Sequence, residues 1–415
     1  MTISGIPLNF AARTAIAFLA SAIALPAVCL YAQQPGPTTP KPQLRFPAPS
    51  PNETLKSVEV LADRQVRFRI WAPSASEVKL NAEGPETIPG ITPEDLKTFN
   101  TGVVMHKGDL GVWEMTIGPI KPGVYLYNFV VDGVSAADPR NPISVQTLNQ
   151  PRSLYEVPGA AFSEYRPEVP HGVVGVVYYN SKATGGLRRM HIYTPPGYEN
   201  GSNRLPVLYL LHGAGGTDNS WSMTGRAGAI LDNLIAAHKA MPMIVVMPAG
   251  HISSELRMGS GTGSMGHDAF NKDLVEDIMP YIDSHYRTLT DRDHRALAGL
   301  SMGGMQTLSV SMRNSADFGW VGVFSSGWLP AALKEAEDVD LAQYHASGKP
   351  FHLYWFAIGT NDFLLNSCHQ TIAMLNKAGI QTTGIESGGG HTWSNWRDYL
   401  NLFAPMLFQP APAQK

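Results

Sequence analysis

Apolar positions follow two different patterns along this chain of 415 residues. In residues 57–157 they alternate with polar ones. Val66-Arg67-Phe68-Arg69-Ile70-Trp71 and, in part, Val124-Tyr125-Leu126-Tyr127-Asn128-Phe129-Val130-Val131 place apolar side chains on one face of an extended chain, and Asp132-Gly133 supplies a turn. Gly-Pro and Pro-Gly pairs punctuate the segments between, and no helical period is sustained, so residues 57–160 are expected to form a small all-β sandwich. Beyond residue 170 the apolar runs become continuous. Residues 205–211 (LPVLYLL) and 243–247 (MIVVM) read as strands covered on both faces. Residues 227–238 have a helical period, and Phe270, Leu274, Ile278 and Ile282, four apart, mark another helix. A strand at 295–299, a helix at 302–312 and strands near 320–325 and 352–358 follow. Such alternation predicts an α/β fold, a mostly parallel sheet flanked by helices, over residues 170–408.

The N-terminal region fits neither pattern. Arg13 is the only charged residue before Lys41, and residues 15–30 (AIAFLASAIALPAVCL) are apolar with Pro26 inside them. Sixteen such residues are short for a bilayer. Residues 1–32 therefore read as an export signal, with Leu30-Tyr31-Ala32 offering a small-residue cleavage site. A lipid anchor on Cys29 is an alternative, although Val28 stands where such signals have Gly or Ala. Residues 33–56 read as a linker, with seven prolines between Gln33 and Pro51. The expected location is periplasmic or extracellular, with no stable membrane insertion after signal removal. A net charge of −3 gives no electrostatic footprint for nucleic acid. Once the signal is removed, Cys368 is the one remaining cysteine; no internal disulfide can form, and a buried structural thiol is expected there.

Chemistry concentrates in the second half. Gly299-Leu300-Ser301-Met302-Gly303 has the G-x-S-x-G form of a nucleophile elbow, in which serine occupies a tight strand-to-helix turn and glycines allow strand and helix to approach. A serine hydroxyl needs an adjacent base, usually His, and a carboxylate that orients it. The histidines after Ser301 are His345, His352, His369 and His391. His391 follows Ser387-Gly388-Gly389-Gly390, a flexible loop that lets an imidazole reach a serine, and is the expected base. Asp362 closes the run 351–358 through Gly359-Thr360-Asn361 and is the expected acid; capping of the helix that follows is its competing role. The oxyanion donors are expected to be the N–H of Met302 and that of Ala214 in His212-Gly213-Ala214-Gly215-Gly216, with Gly215 as the alternative second donor. No H-E-x-x-H, Cys/His cluster or P-loop appears, so neither metal nor cofactor is expected.

Two resemblances add to this reading. VRFRIWAPSASEVKL, GVWEMTIGPIKPGVYLYNFVVDGV and DPRNP resemble the early-set, immunoglobulin-like domains of carbohydrate-binding module family 48 that precede glycan-active enzymes. In that setting Trp113 and Tyr125 are either a sugar platform or core. LHGAGGTDNSW, FNKDLVEDIMPYIDSHY, DRDHRALAGLSMGG, GTND and GGGHTWSNW, in that order over about 170–408, resemble bacterial feruloyl and acetylxylan esterases of carbohydrate esterase family 1. That resemblance implies an α/β-hydrolase fold, the triad Ser301–His391–Asp362, and substrate contacts near Trp221, His267, Asp268 and Trp393. It implies a secreted serine esterase acting on feruloyl or acetyl esters of xylan, with a polysaccharide or small ester as partner. A siderophore esterase, which shares the layout, and a catalytically silent glycan-binding or acyl-transfer protein are the alternatives.

Overall fold

A computed structural model describes residues 48–88, 90, 92–252 and 267–409. The expected export signal, Cys29 and most of the linker lie outside the described residues. From Pro49 onward the chain gathers into one compact unit. Residues 51–56, expected as linker, are docked instead of free. The short helix Pro51–Thr54 sits on the strand Val66–Trp71, with the Asn52 amide donating to Trp71 O at 2.7 Å and Trp71 N donating back at 2.9 Å.

The alternating segment forms two antiparallel sheets. Among the described residues one has the order Val58–Val60, Val66–Trp71, Val112–Ile117, His106–Lys107. The other runs Val103–Val104, Val78–Ala82, Gly123–Val131, Pro151–Val157, Ser144–Gln146, with Val134–Ala136 pairing on Gly123–Val131. Phe68 and Ile70 from the first meet Val78, Leu80, Tyr127 and Phe129 from the second in one core. Trp113 and Tyr125 belong to that core, at 5% and 1% exposure, and their polar atoms are engaged by Ala72 O and Lys121 O. The platform reading of these two residues is thereby removed. A helix, Pro93–Thr101, also interrupts this segment, against the expectation of β structure throughout. Its start is written in the Thr92 cap, in Pro93 at the first helical position and in Asp95, and not in an apolar period.

Among the described residues the second part contains an eight-stranded sheet: Val173–Ser181, Gly186–Thr194, Ile244–Pro248, Val207–Leu211, Arg295–Leu300, Trp320–Phe324, Leu353–Gly359, Thr383–Ser387. The first two strands pair antiparallel and the other six run parallel. Within Val207–Leu211, Leu208 and Leu210 point to one face and Val207, Tyr209 and Leu211 to the other, and both faces are buried. This double covering explains the unbroken apolar runs. Helices Ala227–Ala236 and Trp393–Phe403 cover the first face through Ile230, Leu231, Tyr399 and Phe403. Phe270, Leu274, Ile278 and Ile282 cover the second, each fully buried, as their spacing predicts. Because the central strands are parallel, their carboxyl ends share one edge, and the loops bearing His212, Ser301, Asp362 and His391 all leave from it.

Candidate active site

Ser301 joins the strand Arg295–Leu300 to the helix Met302–Arg313 with φ 52° and ψ −117°. A non-glycine residue there carries strain of about 1–3 kcal/mol, so the surroundings must impose it. Ser301 N donates to Phe324 O at 3.0 Å, and Ser326 Oγ donates to Ser301 O at 2.7 Å. The flanking glycines are steric requirements. A Cβ on Gly299 would lie 2.4 Å from Gly303 C, and one on Gly303 would lie 2.6 Å from His212 O.

The loops of Asp362 and His391 are tied together before any side chain meets. Thr360 N donates to Ser387 O at 2.8 Å and Asn361 N to Gly389 O at 2.9 Å. Across this junction His391 Nδ1 stands 3.0 Å from each oxygen of the Asp362 carboxylate, and its Nε2 stands 2.9 Å from Ser301 Oγ. Nδ1–H donates to the carboxylate, which leaves Nε2 to accept from the serine. Asp362 Oδ1 also accepts the Leu364 N–H at 2.9 Å, so the capping role and the imidazole contact coexist on one carboxylate. Burial alone would raise the Asp362 carboxyl. The hydrogen bond and charge of His391, the Leu364 N–H and Ser325 outweigh it and hold the group below the usual carboxylate range. A hydroxyl, an imidazole and an ionised carboxylate in this sequence can move a proton off the serine and stabilise the imidazolium that results.

The loop after Val207–Leu211 passes beside the serine, since a Cβ on Gly213 would lie 3.3 Å from Ser301 Cβ. Met302 is the first residue of its helix, where an N–H has no partner within the helix. Among the described residues no hydrogen bond engages the Met302 or Ala214 N–H. The Gly215 carbonyl accepts from Leu148 N at 3.1 Å.

The expected substrate contacts fare differently. Trp221 is 1% exposed, with Nε1 donating to Leu211 O at 2.9 Å and its ring against Trp393 and Phe324, so it is a core residue. Asp268 pairs with Arg313, the last residue of the helix that Ser301 begins. Twelve residues of helix separate that pair from the serine by about 18 Å. The side chain of His267 lies outside the described residues. Trp393, two residues after His391, is half-buried with its ring against Trp221 and Trp396. Phe363 also stands at the site, without a sequence motif of its own. It is 75% exposed, an unusual position for so large an apolar side chain, and its ring centroid lies 4.5 Å from that of His391. Adjacency to Asp362 was the available signal. The remaining histidines after Ser301 lie elsewhere: His345 packs its ring against Tyr344, His352 binds Asp293 and His369 binds Glu386. Cys368 is buried, which pushes its thiol up to about 12. A cleft of about 600 Å³ lies on the far side of the His391 loop, between Gly388–Gly390 and Lys121, and Ser301 does not line it. Among the described residues no three His, Cys, Asp or Glu side chains gather as a metal ion would require.

Residues 181–404 match the family described as "Putative esterase". The endo-1,4-beta-xylanase/feruloyl esterase of Xylanibacter ruminicola is 31% identical over 360 residues, which is 84% of this chain and 46% of that protein. The match covers 46% of that relative's length, and it covers 32% of Esterase Rv1288 of Mycobacterium tuberculosis. The CE1 ferulic acid esterase of Anaeromyces mucronatus superposes with a TM-score of 0.53 at 26% identity, over 60% of this chain and 96% of that one. The enterobactin esterase of Shigella flexneri gives 0.59 at 19% identity, over 85% and 95%; at that identity the likeness concerns fold alone.

Proposed function

Because this chain belongs to the esterase family, and is thus a carboxylic ester hydrolase, we propose that it is an exported serine esterase that releases feruloyl or acetyl groups from plant polysaccharide. The observation that carries the reading is the contact of Ser301 Oγ with His391 Nε2 at 2.9 Å, backed by Asp362 at 3.0 Å from Nδ1. His391 takes the Ser301 proton as Oγ attacks the ester carbonyl. The N–H groups of Met302 and Ala214, or of Gly215 in place of Ala214, hold the oxyanion. Collapse breaks the ester bond, His391 returns the proton to the leaving alcohol, and an acyl-enzyme remains. Water then gives a proton to His391 and attacks the acyl carbon, which releases the acid and restores Ser301.

Three observations support the finer parts. The relative from Xylanibacter ruminicola carries a feruloyl esterase in its name and matches across most of this chain. Exposed Phe363 beside His391 offers an aromatic acyl group a ring to pack against. Two facing antiparallel sheets before the α/β part accord with an immunoglobulin-like domain over 57–160 and a hydrolase domain over 170–408. Export rests on the apolar segment 15–30, and no helix among the described residues is long and apolar enough to cross a membrane. A siderophore esterase has the same fold, so substrate decides between the two. Methyl ferulate, acetylated xylan, p-nitrophenyl acetate and a catecholate trilactone form the test panel. Release of ferulate or xylan acetate by the wild type supports the proposal; hydrolysis of the trilactone alone overturns it.

A further inference from the structure

We propose that His212 and Gln306 are positioning residues that aim the two oxyanion donors and that Gly250 couples them; the proposal rests on Ser301 being the nucleophile. His212 is buried immediately before the loop that carries Ala214. Its Nε2 receives the Gly250 N–H at 2.8 Å. A backbone N–H only donates, so Nε2 is the unprotonated nitrogen and the ring proton sits on Nδ1. Nδ1–H therefore donates to Gly213 O, 2.8 Å away. Burial pushes this imidazole down to about 4, which keeps the ring neutral and in one tautomer at neutral pH.

The consequence lies in the peptide plane. Gly213 O also accepts the Gly216 N–H at 3.0 Å, so two donors fix this carbonyl. The Gly213–Ala214 peptide is trans, and in a trans peptide the N–H points opposite to the C=O. Fixing Gly213 O on His212 thus fixes the direction of the Ala214 N–H, on the loop that passes Ser301.

Gly250 extends the path to the other donor. Its carbonyl accepts Gln306 Nε2 at 2.9 Å. Gln306 is buried in the helix that Met302 begins, one turn further on, and so anchors the turn carrying the Met302 N–H. The backbone at Gly250 is enclosed by the groups it joins. A Cβ there would lie 3.2 Å from Gln306 Oε1, 3.2 Å from Met302 Cε and 3.4 Å from His212 Nε2. Three loops from three strand ends are thereby held in one register by a path from Gly213 O through His212 and Gly250 to Gln306.

A purely structural role for these side chains would change stability and leave the kinetics of folded enzyme intact. A role in aiming oxyanion donors lowers kcat, leaves KM in place, and weakens an inhibitor that binds as a tetrahedral oxyanion. The test measures kcat and KM on p-nitrophenyl acetate, and inhibition by an aryl trifluoromethyl ketone, for His212→Phe, His212→Asn and Gln306→Met. His212→Phe removes the ring donor, and kcat is expected to fall about 100-fold, the loss typical of one oxyanion donor. Asparagine places an amide nitrogen where Nδ1 stood, so His212→Asn restores most of that loss. Gln306→Met lowers kcat about 10-fold, a part of one donor's contribution, and carries the test if His212→Phe does not fold. Ketone affinity falls in parallel with kcat. A His212→Phe or Gln306→Met enzyme with kcat and ketone affinity within about threefold of wild type overturns the proposal, because the expected losses of about 100-fold and about 10-fold both exceed that margin. Ser301→Ala is run alongside: its full activity would instead overturn the nucleophile assignment.

Discussion

Aromatic side chains are used differently in the antiparallel core and at the carboxyl edge of the eight-stranded sheet. In the antiparallel part Phe68, Tyr127 and Tyr155 pack edge to face with centroids 4.9–5.8 Å apart, and Trp113 and Tyr125 complete the same core. At the carboxyl edge of the eight-stranded sheet Phe363 stands in solvent against His391. Rings turned inward build a body; a ring turned outward next to a reactive group is available to a ligand. The antiparallel part reaches the reactive loops by other means. Leu148 N donates to Gly215 O at 3.1 Å, and Thr217 Oγ1 donates to Gln146 O at 3.1 Å. From the opposite side Arg397, on the helix that follows His391, is buried with Nη1 donating to Val124 O at 2.9 Å and Thr224 O at 3.0 Å, its guanidinium over Tyr125. The difference teaches that the antiparallel part braces the loops at this edge through hydrogen bonds of its backbone and through Arg397.

Two substitutions can break or sharpen that contrast. Arg397→Ala empties a buried cation site and strips Val124 O and Thr224 O of their donor, with an expected loss of about 3 kcal/mol in stability. Urea unfolding measures it. A loss below about 1 kcal/mol, the net value of a single ordinary hydrogen bond, would mean that the brace carries little. A smaller effect is expected at the outward ring. Phe363→Ala should lower kcat/KM for methyl ferulate about 10-fold, the value of one aromatic contact. Activity on p-nitrophenyl acetate and Tm should stay near wild type, since Phe363 is mostly exposed. An equal loss on both substrates would remove its assignment to an aryl group.

The parts legible in the sequence are those with local signals. The elbow glycines, the strand ends and the four-residue spacing of Phe270, Leu274, Ile278 and Ile282 each depend on neighbours within a few positions. The edge hairpin Val173–Ser181 and Gly186–Thr194 is not legible by that route, because Val173, Val174, Val176, Tyr178 and Leu187 are exposed and its apolar residues do not trace a buried face. Trp221 and Asp268 failed for a related reason. Trp221 shares a motif with the Ala214 loop but turns into the core, and Asp268 is held by Arg313 at the far end of a helix. Arg397 illustrates the remaining limit. Its partners lie 273 and 173 residues away in sequence, and nothing near position 397 announces them. Phe363 was passed over because exposure, not residue type, gives it significance.

The central claim concerns one hydroxyl, and the most direct test is to find where a serine-directed phosphonylating reagent attaches. The wild-type enzyme is treated with a fluorophosphonate, digested, and the modified peptide is mapped by mass spectrometry. A single adduct on Ser301, formed as hydrolysis of methyl ferulate disappears, is the predicted result. Loss of activity with the adduct on another residue, or full activity with Ser301 modified, would contradict the account.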